Sequence, residues 1–264
     1  MLNRIKDSLC HPSRLGLYYK DSLLKIIITI IIFGLAFVGL SLVMMMNTDY
    51  FDSSSAKSVS SDLISDKNES TIAFKDNAIV GDSYTYTGDD YIISFLDDEF
   101  KPKDNFISIS FKANSINVYY HKELISIISY DEIKIKDFSI SELKNGSMAD
   151  RLALESLIKI ALDSMEYTYA LEVFLENMAM VIGMYLVLAV VCVVMAYFIN
   201  PEINMSYRIR LALYDTIIYF VIMIFSLMFS LYWLQYVALL LPLIYVKITF
   251  SHIVKVKIKR NGVQ

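Results

Sequence analysis

Cysteine occurs only at Cys10 and Cys192. One precedes the first apolar run and the other lies inside a later one, so no disulfide joins them. The middle of the chain has none. If that portion lies outside a cell, packing alone holds its core, which suits a bacterial surface domain. The three histidines, His11, His121 and His252, are scattered and give no metal-ligand spacing. There is no GxSxG, HExxH, Walker A or GxGxxG pattern. No active site is legible, and neither an enzyme nor a cofactor or metal is expected.

Apolar residues are plentiful. They make up 56% of the 264 residues, above the ~45–50% of a soluble domain, and they cluster in long uncharged runs. Charge is unevenly spread around a net of −4. Residues 47–170 carry 12 Lys and Arg against 22 Asp and Glu, and the remainder carries 12 against 6. An acidic middle between basic ends excludes nucleic acid as the partner of the middle portion.

The first apolar run, residues 26–46, is 21 residues long. About 20 such residues cross the hydrocarbon layer. No small-residue cleavage site follows, so it reads as an uncleaved signal anchor. Upstream, Arg4, Lys6, Arg14 and Lys20 form a basic flank that keeps the N-terminus inside. Leu2, Ile5 and Leu9 share a helical face that would suit a helix lying on the membrane surface.

A second span is expected over 178–199. The uncharged stretch 216–246 has 31 residues, about 46 Å as one helix, too long for a ~30 Å core. Two short spans turning near "YWLQY" fit better, although no Gly or Pro marks the turn. They also place Lys255, Lys257, Lys259 and Arg260 on the same side as Arg208, Arg210 and the basic start. Pro242 then falls within the last span.

The expected fold is an α-helical membrane protein with four transmembrane helices and an extracytoplasmic α+β domain between the first and second. Its segments are a cytoplasmic basic segment (1–22), a first span (23–46), a linker (47–70) and the α+β domain (71–177). A second span (178–199), a cytoplasmic loop (200–213), two spans (214–252) and a basic cytoplasmic tail (253–264) complete the chain.

In the outer domain, "SYTYTGDDYIISF" reads as a hairpin turning at Gly88-Asp89-Asp90. "FISISFKANSINVYY" alternates twice about a turn at Ala113-Asn114-Ser115, and "KIKDFSIS" repeats the period. From Ser147 the pattern becomes helical, with an N-cap at Ser147 and Asp150 in the first turn. This helix is expected to run into the second span and couple the domain mechanically to the membrane.

Five charged residues are the candidates for function or topology. Asp215 falls at the edge of the third span, seven residues from Arg208 and near Arg210, where it is expected to pair or to reach water. Glu172 and Glu176, four apart at the mouth of the second span, offer paired carboxylates or a solvated helix end. The acidic residues Asp89, Asp90, Asp97, Asp98 and Glu99 lack EF-hand spacing and read as a solvated loop.

The overall plan carries a resemblance. "HPSRLGLYYKDSLLKII", one span, an outer domain, and "NMSYRIRLALYDTIIYF" leading into the third span make up the layout, with "YDEI" at Tyr130 to Ile133. Together these resemble an uncharacterised family of Gram-positive membrane proteins, number 1189 in the unknown-function series, some of them labelled maltodextrin-utilisation proteins. That resemblance implies no catalytic residue.

The expected function is a non-enzymatic accessory, sensor or scaffold whose outer domain binds an envelope or protein partner. The alternative, which the label implies, is a subunit or helper of a sugar transport system. No inverted repeat or Gly/Pro-broken helix pair supports an autonomous carrier. The partners implied are the lipid bilayer, a membrane or envelope protein, and a further copy of the same chain.

Overall fold

A computed structural model describes residues 2–65, 71–104, 106–140, 143 and 147–261, with side chains from residue 4 to residue 253. The side chains of the basic tail and the end of the expected linker, 66–70, lie outside the described residues. The chain divides into a helical unit, Met1–Asn47 with Val173–Gln264, and a sheet unit, Thr48–Glu172.

The helical unit begins with α1 (Leu2–Cys10), a 3-10 helix (Pro12–Tyr18) and α2 (Leu23–Met46). It continues with the second part of α4 (Met148–Ile199), then α5 (Met205–Asp215), α6 (Ile217–Met228) and α7 (Leu234–Asn261). Among the described residues four stretches are long and apolar enough to cross a membrane by length and composition. They are Leu23–Met46, a part of Met148–Ile199, Met205–Met228 and Leu234–Ile253. Outward side chains such as Leu35, Val187, Val190 and Phe198 remain exposed, as walls facing hydrocarbon do.

Local chemistry explains the breaks. The Asn204 carboxamide oxygen accepts from the Ser206 N–H at 2.9 Å and starts α5, inside the stretch expected as a loop. Between α6 and α7 the chain reverses at 229–233. Ser230 takes φ +52°, and the Ser226 hydroxyl donates to the Leu231 carbonyl at 3.0 Å. The turn expected near "YWLQY" begins a few residues earlier, and Ser230 takes the positive φ that usually falls to Gly. Pro242 lies inside α7.

Residues 1–22, expected as a basic flank, instead pack into the helical unit. The buried side of α1 is its polar one, Asp7 and Ser8. Leu15 is fully buried, and a Cβ on Gly16 would stand 3.0 Å from Ile253 Cγ1, so the 3-10 helix passes tightly along α7.

Among the described residues the sheet unit holds α3 (Ser53–Ser65), eight strands and the first part of α4. A five-stranded sheet runs β3 (Tyr84–Thr87), β4 (Tyr91–Phe95), β5 (Ile107–Phe111), β6 (Ser115–Tyr120), β7 (Glu123–Ser129). All its pairs are antiparallel except β4 with β5. A three-stranded sheet has the order β2 (Ala78–Val80), β1 (Ala73–Lys75), β8 (Phe138–Ser139). Both expected hairpins form, whereas "KIKDFSIS" supplies only the two residues of β8.

Ile93, Phe95, Ile109, Phe111, Ile116 and Val118 share one sheet face and bury against α3 and α4 in a single cluster. The parallel step from β4 to β5 needs a return crossing. Phe100 in that crossing meets Tyr119, which alternates with the core residues Val118 and Tyr120, so the crossing passes over the opposite face.

The stretch read as a linker contains α3. The Asp52 carboxylate accepts from the Ser55 N–H at 3.0 Å and from the Ser54 hydroxyl at 2.6 Å, an N-cap that starts the helix. Ala56, Val59 and Leu63 then bury on one face. A Ser- and Asp-rich composition suits caps as well as linkers. Ser147 is the expected cap of α4, accepting from the Asp150 N–H at 3.4 Å.

Candidate functional site

Asp215 is the last residue of α5, and Thr216 interrupts the helix before α6 begins. The Asp215 side chain is fully buried at 0% exposure. Its Oδ1 lies 2.9 Å from Thr249 Oγ1 on α7, and its Oδ2 has no hydrogen-bond partner among the described residues. Thr249 Oγ1 also lies 3.0 Å from the carbonyl oxygen of Pro12. A hydroxyl has one hydrogen and here faces two acceptor oxygens.

Polar ties converge around this point. Thr216 Oγ1 is 3.0 Å from the Tyr185 hydroxyl of α4, and the Tyr219 hydroxyl donates to the Val181 carbonyl at 3.1 Å. Ser8 of α1 donates to the Tyr214 carbonyl at 2.6 Å, and Tyr245 of α7 donates to the Leu9 carbonyl at 2.7 Å. The Tyr214 hydroxyl donates to Asp21 Oδ2 at 2.7 Å, and Arg4 pairs with the same oxygen at 2.9 Å. The Tyr18 hydroxyl donates to Asp7 at 2.6 Å, and that bond with the carboxylate holds the tyrosine proton above its ordinary range.

The expected pairing of Asp215 with arginine does not form. Arg208, itself buried, directs Nη2 to the carbonyls of Asn200 (3.3 Å), Pro201 (3.2 Å) and Ile203 (2.7 Å). Its guanidinium also lies over the Tyr197 ring. Those carbonyls follow the end of α4, where a helix presents partial negative charge, and Arg208 answers that charge instead of Asp215. Arg210 donates to the Tyr19 carbonyl at 3.5 Å and lies over Tyr207. Burial likewise removes the expected route to water.

Glu172 faces His121 Nε2 at 3.2 Å within the sheet unit, and Glu176 is exposed further along α4. Among the described residues no group of three or more His, Cys, Asp or Glu could hold a metal ion. Thr249, Pro12, Ser8 and Tyr245 were not singled out by sequence reasoning. The "HP" and "SY-R" motifs were the available signal. Pro12 supplies the carbonyl facing Thr249, and Arg208 is the arginine of the second motif.

No family model, curated protein or solved structure matches this chain. An enclosed acid hydrogen-bonded to a hydroxyl of another helix can carry charge or a proton and can fix helices together.

Proposed function

We propose that the chain is a non-enzymatic multi-pass membrane protein, an accessory, sensor or scaffold. Its sheet unit lies outside the cytoplasm and binds an envelope or protein partner. One observation carries the reading. The unbroken helix α4 places Leu154, Leu157, Ile158 and Ala161 in the core of the sheet unit, and Tyr185, Leu188, Cys192 and Ala196 in the core of the helical unit. A signal received by the first core therefore has a continuous helix on which to travel.

Both termini lie in the cytoplasm. The contacts of Arg210 with Tyr19 and of Thr249 with Pro12 support this, because they bring the N-terminal segment, α5 and α7 to one end of the helical unit. That end carries Arg4, Lys6, Arg14 and Lys20, as the positive-inside rule requires. Cys10 is exposed, so a membrane-impermeant maleimide should label it only after permeabilisation.

Cross-linking in cells followed by extraction in mild detergent tests the partner. A defined protein should be recovered with the full chain and lost when helix α4 is broken by proline between the two cores. A clean monomer in every extract sinks the reading. Impaired uptake of labelled maltodextrin in a deletion strain, with no partner outside the transporter, would favour the transport role instead.

A further inference from the structure

We propose that Asp215 is a proton-binding site. Its Oδ1 carries a hydrogen and donates it to Thr249 Oγ1, which donates in turn to the Pro12 carbonyl oxygen. The assignment rests on hydrogen and charge accounting around three buried residues.

Thr249 Oγ1 stands 2.9 Å from Asp215 Oδ1 and 3.0 Å from Pro12 O, and its one hydrogen can point fully at only one of them. An ionised Asp215 would leave one of these two contacts without a hydrogen. A hydrogen on Oδ1 gives each contact its own. The neutral acid also explains Oδ2, which is enclosed without a partner. An unpaired carbonyl oxygen is a tolerable buried group, whereas an unpaired carboxylate oxygen is a costly one.

Charge leads to the same assignment. A buried carboxylate needs a cation, and stripping it of water costs several kcal/mol even after the protein relaxes. The nearest basic candidates on the same helix, Arg208 and Arg210, are turned to backbone carbonyls. Among the described residues no ion pair or hydrogen bond joins Asp215 to a basic side chain. The N-terminal segment presents the Pro12 carbonyl, a dipole of the wrong sign for a carboxylate. Among the described residues no group of three or more His, Cys, Asp or Glu could hold a metal ion in place of the hydrogen.

The proton thereby joins three parts of the helical unit: the end of α5, the middle of α7, and the start of the 3-10 helix. Proton loss would place a bare charge at this joint and loosen the N-terminal segment from α7. This consequence does not depend on what the sheet unit binds.

Infrared difference spectroscopy on the full chain in nanodiscs tests the assignment, in sodium and in potassium buffer at neutral pH. A protonated-carboxyl C=O band should be present in both salts. It should vanish in Asp215→Asn, whose amide can still donate to Thr249, and shift in Thr249→Val, which removes the acceptor. An unchanged band in both variants overturns the proposal, and so does a band that sodium abolishes. If Asp215→Asn does not accumulate, Thr249→Val decides: a shifted band supports the site, and an unshifted one rejects it.

Discussion

Arg208 holds its guanidinium 2.7 Å from the carbonyl oxygen of Ile203, in the turn that follows α4. The same nitrogen reaches two further carbonyls, so one buried side chain serves as the polar partner for a helix end. Truncation would take this donor from the carbonyl of the buried Asn200 and free the other two. Arg208→Ala should cost about 2 kcal/mol, read as a lower thermal midpoint of the full chain in mild detergent. Arg208→Lys should recover only part of it, since an ammonium lacks the planar fork and the stacking on Tyr197. Equal midpoints for Ala and wild type would show that the arginine serves topology alone.

The N-terminal segment is tied to the rest of its unit by single hydroxyls, and these should be individually cheap. Ser8→Ala and Tyr245→Phe each remove one donor to a backbone carbonyl. Hydrogen bonds between membrane helices average about 0.6 kcal/mol, so each variant should lose about that much and the pair about twice as much. Gly16→Val should lose more than either, because its new side chain meets Ile253. Midpoints that rank in the reverse order would show that α1 is held by something other than these contacts.

The spans were legible because lipid demands long uncharged runs, and residues 23–46 could hardly do anything else. The two hairpins were legible for a similar reason, since an alternating strand against a core leaves its period in the sequence. What escaped notice depends on fewer atoms. One carboxylate at Asp52 turns a Ser-rich stretch into α3, and one serine at Ser230 reverses the chain between two helices. The centre at Asp215 was half legible. Its position inside a span marked it, but Thr249 is 34 residues away and Pro12 lies 237 residues from Thr249. Without those partners, pairing with the nearby arginines was the natural expectation.

High pH should weaken the sheet unit. The Tyr91 hydroxyl donates to Asp62 at 2.6 Å, and burial followed by that bond pushes its ionisation far above the ordinary value. Burial does the same for Tyr130. A raised pKa means the fold favours the neutral form. Its contribution is therefore complete below the ordinary tyrosine value near ~10 and is lost as pH rises beyond it. The thermal midpoint of the sheet unit should fall above about pH 10. Tyr91→Phe should show a shallower fall, beginning from a lower midpoint at neutral pH because Asp62 has lost its donor. Parallel pH curves for the two proteins would refute the role given to Tyr91.

Two glycines should respond in opposite ways to the same substitution. Gly81 follows β2 with φ +132°, and a Cβ there would stand 2.8 Å from Ile72 Cα and 2.9 Å from both Ile72 N and Thr71 O. Those atoms are backbone and cannot swing aside. They are also held in place, since the Thr71 hydroxyl donates to Asp82 Oδ2 at 2.8 Å and accepts from the Asp82 N–H at 3.0 Å. Gly81→Ala should therefore cost about 2 kcal/mol or more, and hydrogen exchange should report it as faster exchange in β1 and β2. Gly183 lies inside α4 with nothing within 4 Å of its would-be Cβ. Alanine is favoured over glycine there by up to about 1 kcal/mol, so Gly183→Ala should leave stability unchanged or raise it. A loss at Gly183 equal to that at Gly81 would mean that a neighbour, such as a second copy or a partner helix, packs on that glycine in the membrane. The bare surface of α4 would then be part of an assembly instead of a wall facing lipid.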